Sequence, residues 1–195
     1  MVLQRVNRVC LIIARITQRP QTMDSGFTDI DFSLRDGRLV HIRAMHPSDE
    51  AALLKAFGQL SPDARYMRFM RVVGEPNIER LRKALASFPE SGLGIVATVD
   101  KTVVVGSATF LIGNDPTRCE FATTVTGEVG GQGLGRALLT ALIAAARQRG
   151  LHEMEGFVLA NNQPMLRLAA RLGFSIAPDP DDPAVRICRL RLDGC

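Results

Sequence analysis

The sequence predicts an α+β domain: a mixed sheet flanked by helices. Three observations lead there. Short alternating apolar segments of strand length recur between residues 39 and 192. Segments with apolar residues at helical spacing separate them, several opened by a polar cap. Finally, the glycine run Gly130-Gly131-Gln132-Gly133-Leu134-Gly135 leaves one strand pattern and opens the longest helical one.

Taken in order, Leu39-Val40-His41-Ile42-Arg43 alternates as a first strand. Pro47-Ser48-Asp49-Glu50 then opens a helix, with Ser48 as cap and acids in the first turn. Ser61-Pro62-Asp63 repeats that signal before a short helix over Ala64–Met70. A third helix runs from about Pro76 to Ala86, with Ile78, Leu81 and Leu85 on one face. Three strands follow: Gly94–Asp100, Thr102–Ile112 after a tight Asp100-Lys101 turn, and Cys119–Thr126. The helix after the glycine run spans Leu134–Arg149 and carries a stripe of Leu138, Leu139, Leu142, Ile143 and Ala146. Glu153–Leu159 is a strand, Pro164–Leu172 a helix stopped by Gly173, and Phe174–Ile176 and Val185–Leu192 closing strands. The acidic Pro178–Pro183 segment is expected to be a solvated turn. There is no internal repeat, so residues 27–195 are expected to form a single domain.

Composition narrows the function classes. The net charge of +4 is carried by Arg5, Arg8, Arg15 and Arg19; without them basic and acidic residues balance at 20 each. A neutral body lacks the basic face of a nucleic-acid binder, and with no Trp and only Tyr66 it is poorly supplied with rings for stacking on bases. Residues 1–26 read as a flexible extension, or as an over-called start with Met23 the initiator. The apolar stretch Val9–Ala14 is too short for a secretory core and far too short to span a bilayer, so no stable membrane association is expected. The cysteines Cys10, Cys119, Cys188 and Cys195 show neither disulfide nor zinc spacing, which fits a reducing cytoplasm, and no metal site is expected. Cys119 reads as a small core residue.

Closely spaced glycines let a backbone turn sharply and aim several N–H groups at one spot, where the positive end of the following helix dipole also points. The loop is therefore expected to cradle a pyrophosphate, with a glycine-rich surface turn as the plain alternative. It is not a Walker loop, because no Gly-Lys-Ser/Thr follows. It is not a dinucleotide fingerprint either, because Leu138 stands where Gly or Ala is needed.

These residues resemble the GNAT family of N-acetyltransferases over about residues 37–193. The family's cofactor signature, Arg/Gln-x-x-Gly-x-Gly/Ala, is matched by Gly130–Gly135, with glycine in place of the initial Arg or Gln. A second signature, Asn followed by a helix ending in Gly-Phe, is matched by Asn162 through Gly173-Phe174. Leu60–Phe69 and Cys119-Glu120-Phe121-Ala122 are similar to the acetyltransferase domain of the bacterial Pat-type protein lysine acetyltransferases. The resemblance implies a GNAT-like mixed, mainly antiparallel central sheet flanked by helices, with acetyl-CoA as co-substrate and a protein lysine or a small amine as acceptor.

It further implies Glu120 as general base, since an ammonium must lose a proton before it can attack a thioester; a solvated glutamate, or one paired with an arginine, is the plain alternative. A backbone N–H near Thr124 or Val125 would polarise the thioester carbonyl. Gly130, Gly131, Gln132, Gly133, Leu134, Gly135, Arg136 and Ala137 would hold the pyrophosphate, and Asn162 would reach the pantetheine arm while capping its helix. Arg65, Tyr66 and Arg68 would border the acceptor channel. Many family members place a tyrosine acid seven residues after this asparagine; here that residue is Ala169. Glycine at 130 and the missing tyrosine keep open a different reading, a catalytically silent acyl-CoA-binding module.

Overall fold

The structure is a computed structural model and describes residues 25–193. Of the expected N-terminal extension, residues 1–24 lie outside the described residues. So does Cys10, as does Cys195 at the other end.

Among the described residues, the sheet has eight strands. They are β1 (Ile30–Ser33), β2 (Leu39–Ala44), β3 (Gly92–Val99), β4 (Val103–Ile112), β5 (Arg118–Val125), β6 (Glu153–Leu159), β7 (Ser175–Pro178) and β8 (Val185–Arg191). Their spatial order is β1-β2-β3-β4-β5-β6-β8-β7, and every neighbouring pair is antiparallel except β5–β6. Among the described residues, five α-helices join them: α1 (Glu50–Gly58), α2 (Pro62–Phe69), α3 (Ile78–Ala86), α4 (Leu134–Gln148) and α5 (Gln163–Arg171). This is the expected α+β architecture, and none of these helices is long and apolar enough to cross a membrane.

Alternation along the strands builds a core on each face of the sheet. Ile42, Leu93, Ile95, Ala97 and Phe110 pack with the stripe of α4, whose Leu138, Leu139, Leu142, Ile143 and Ala146 are all buried. Val96 and Val104 face the other way, onto Ala52, Leu53 and Ala56 of α1. Each buried leucine of that stripe contributes about 1.5–3 kcal/mol relative to exposure. Gly106 faces the α4 side, where an added Cβ would come within 3.1 Å of both Leu134 and Leu138. The Asp100-Lys101 turn has φ of +49° and +60°, the left-handed pair that lets a two-residue hairpin follow the sheet's twist.

Strand β1 is an addition to the sequence reading. Its signal was a short alternation ahead of Asp36-Gly37, a hairpin dipeptide. Two further expectations are corrected. Ser48 is not a cap: it sits inside a single 3₁₀ turn, Pro47–Asp49, which His46 caps through its ring while the Asp49 carboxylate accepts from the His46 N–H. The acidic segment is not wholly solvated either, because Asp179 is buried and accepts from the Asp181 N–H at 2.9 Å.

Asp49 is buried and takes both arms of Arg43, at 2.7 and 2.8 Å. Burial pushes its pKa up, but the Arg43 guanidinium and the His46 N–H outweigh that and hold it below the usual carboxylate value. The unfolded chain therefore binds the proton more readily, and the pair's contribution is present above the ordinary Asp range and lost as pH falls through the folded-state pKa. Asp49→Asn is expected to cost about 2 kcal/mol at neutral pH. In urea unfolding, the gap between variant and parent should shrink below about pH 4.

Candidate active site

Strands β5 and β6 pair over only three positions, Arg118–Glu153, Cys119–Met154 and Glu120–Glu155. Beyond Glu120 they part, and the gap is part of a cavity of about 960 Å³. Thr124 and Val125 line it from β5, Phe157 and Leu159 from β6, and Asn162 from the start of α5. The same cavity continues beneath α1, α2 and α3, where Leu53, Phe57, Met67 and Leu81 form an apolar wall.

Glu120 lines this cavity and is only partly buried. The β4–β5 register runs without interruption from Ile112–Cys119 to Gly106–Val125, so no bulge turns Glu120 to the opposite face. Arg68 lies beside it. Its Nε donates to Thr124 Oγ1 at 3.0 Å, burial pushes its pKa down, and the Glu120 charge works against that fall. Tyr66 also lines the cavity and is exposed. Arg65 does not line it: its guanidinium donates to the Gly74 and Gly58 carbonyls and lies 4.5 Å over Phe57, a packing role.

The glycine loop follows β5 through a single 3₁₀ turn, Gly127–Val129. Gly131 and Gly133 have φ of +73° and +95°, a backbone that side chains strain to adopt, and Gly133 is the N-cap of α4. Among the described residues, the N–H groups of Gly131, Gly133, Leu134 and Gly135 have no backbone acceptor. These free donors fit a pyrophosphate. Gly130, Gly131, Gly133, Gly135 and Arg136 line the cavity, whereas Gln132, Leu134 and Ala137 do not; Leu134 points into the core. The Asn162 side-chain oxygen caps α5 by accepting from the Met165 N–H at 3.2 Å, so its NH₂ is the end left for a ligand.

Sequence reasoning missed the support of this loop. Arg35, in the β1–β2 turn, donates to the Gly131 carbonyl at 3.2 Å, and its own N–H donates to Gln132. Arg38 donates to the Glu128 carbonyl at 3.0 Å. Arg35 also lines the cavity and so brings a cation to a loop whose first position is glycine. Cys119, by contrast, is buried, and burial with the nearby Glu155 charge pushes its thiol up to about 12, which makes it inert as a nucleophile.

A split parallel pair, a helix N-terminus with free N–H groups at its mouth and a carboxylate in its wall fit an enzyme whose donor carries a pyrophosphate. The sequence profile of the Acetyltransferase (GNAT) family matches residues 61–174, and the chain belongs to that family. By that membership it is an acetyl-CoA-dependent N-acetyltransferase. It is 31% identical over 163 residues to Acetyltransferase PA5475 of Pseudomonas aeruginosa, covering 82% of this chain and 88% of that one. It is 26% identical over 155 residues to Acetyltransferase Pat of Mycolicibacterium smegmatis, covering 78% of this chain but only 46% of Pat. Among solved structures, the GNAT domain of S. lividans PAT superposes with a TM-score of 0.77 at 21% identity, covering 84% of this chain and 96% of that one. The Salmonella typhimurium yncA structure, described with its cofactor acetyl-CoA, gives 0.63 at 25% identity, covering 79% and 94%.

Proposed function

We propose that the protein transfers the acetyl group of acetyl-CoA to a primary amine, with Glu120 as general base. The observation that carries this reading is Glu120 in the cavity wall at the last β5–β6 pair, where the two strands separate. The donor supplies an activated thioester, and the protein supplies positioning and proton transfer. The free N–H groups of Gly131, Gly133, Leu134 and Gly135, with Arg35 and Arg136, hold the pyrophosphate. The Asn162 amide reaches the pantetheine arm.

Successive N–H groups of a strand point to opposite sides. Thr126 donates to Val105 on the β4 side, so the Val125 N–H points into the opening. It is the backbone donor for the thioester oxygen as negative charge builds there. Glu120 accepts the proton that the amine must lose, the N–C bond forms, and the C–S bond breaks. The departing thiolate takes its proton from solvent, since Ala169 is buried and has no acid to offer.

The similarity to Pat supports a protein lysine as acceptor. The helical cover over the apolar wall supports a small amine instead. Buried free Cys119 and Cys188 suit a reducing cytoplasm. A thermal-shift titration of the full chain tests the donor, with NAD and ATP as controls. Acetyl-CoA at a hundredfold excess over its Kd should add about 2.7 kcal/mol, or roughly 5–10 °C in Tm. Absence of any shift would leave a degenerate fold without its ligand.

A further inference from the structure

The cavity beneath α1–α3 holds a cation that the described protein does not neutralise. Other partly buried arginines hold partners through both guanidinium arms. Arg43 is gripped by Asp49, and Arg149 donates to the carbonyls of Pro89 and Gly92 at 2.8 and 2.7 Å and to that of Ser25. Arg65 gives both terminal nitrogens to carbonyls, although its buried Nε has no partner among the described residues. Arg80, on the first turn of α3, is partly buried and lines the cavity, yet its guanidinium has no hydrogen bond or ion pair among the described residues. Burial pushes its pKa down, and no carboxylate acts against that fall. Arg68, in the same cavity, spends only Nε on the neutral Thr124 hydroxyl and otherwise shares the field of Glu120.

A half-buried guanidinium without a partner costs free energy, and a bound anion removes that cost. Glu120 sets the opposite polarity in the same cavity, attracting an ammonium and repelling a carboxylate. Phe57, Met67 and Leu81 give the same cavity an apolar wall. We infer that the acceptor is a primary amine that also carries a carboxylate, which Arg80 binds with help from Arg68 while the amine is presented to Glu120. The planar guanidinium fork matches a carboxylate in geometry as well as charge. The inference rests on the acetyl-transfer reading and adds the acceptor's chemical class to it.

The carboxylate can belong to a free amino acid or to an acidic residue beside a peptide lysine, and paired acceptors separate the two. One arm compares leucine, methionine and phenylalanine with their carboxamides. The other compares lysine peptides flanked by Glu with the same peptides flanked by Gln. CoA release is followed in both. The parent protein should favour the acid of a pair by at least about tenfold in kcat/KM, and the arm showing this names the source. Arg80→Gln should collapse that ratio, Arg80→Lys should retain part of it, and neither should move the acetyl-CoA thermal shift. Ratios near one in the parent, or a preference that survives Arg80→Gln, overturn the inference. So does calorimetry of the CoA-bound protein in which the acids bind no better than their amides, the readout used where no pair turns over. Loss of the acetyl-CoA shift in the parent would sink the acetyl-transfer reading itself, a separate failure.

Discussion

Glu120→Gln is expected to lower kcat for acetyl transfer by about 10²–10⁴-fold at neutral pH, the usual weight of a positioned general base. Acetyl-CoA binding should hold, because the groups proposed to grip the donor lie in the glycine loop and at Asn162. The change is nearly isosteric, and Glu120 sits in an uninterrupted β4–β5 register, so the strand has no reason to move. The physical need is large. An alkylammonium with a pKa near 10.4 is free amine only about once in a thousand molecules near pH 7.4. A variant without a base should therefore depend on the free amine in solution, and its rate should climb about tenfold per pH unit until the amine titrates. The check is a pH series of kcat with an amine acceptor, alongside the acetyl-CoA thermal shift. An unchanged kcat, or the parent's pH dependence in the variant, would remove Glu120 from the chemistry.

Much of this arrangement was legible beforehand, and for identifiable reasons. The α4 stripe has an unambiguous period, and its boundaries fall within a residue of expectation. The glycine run could be read because glycine adopts without strain the left-handed backbone found at residues 131 and 133. Glu120 stood out as an acid within an apolar strand. What stayed hidden depends on distant pairing. Arg35 and Arg38 look like ordinary turn charges until the β1–β2 hairpin folds against residues 128–132. Arg80 reads as solvated helix surface until α1–α3 close over the apolar cavity. Arg65 and Arg68 stand three residues apart on one short helix, yet one packs against Phe57 and the other reaches Thr124. Spacing cannot separate those roles.

Gly156→Ala should be among the more damaging single-methyl changes in this chain, because of where β5 and β6 part. The last pair is Glu120–Glu155, and the next residue on each strand is Phe121 and Gly156. A Cβ on Gly156 would meet the Phe121 ring at distances no side chain tolerates, with two further ring atoms at 2.6 and 2.8 Å. The ring cannot step aside cheaply: Phe121 is buried and packs on Phe174 with centroids 5.1 Å apart. Glycine at 156 thus makes room for an aromatic ring at the root of the opening. Overpacking of this kind costs about 1–3 kcal/mol, which should lower Tm by roughly 2–10 °C. Phe121 adjoins Glu120, so any backbone shift that relieves the clash also moves the proposed base. The expected result is a loss in kcat larger than the fraction unfolded explains, measured below the variant's own Tm. Phe121→Leu in the same background removes the ring atoms that clash and should recover part of the stability. If Gly156→Ala alone leaves Tm unchanged, the ring is not wedged against the glycine, and the parting of the strands needs another cause.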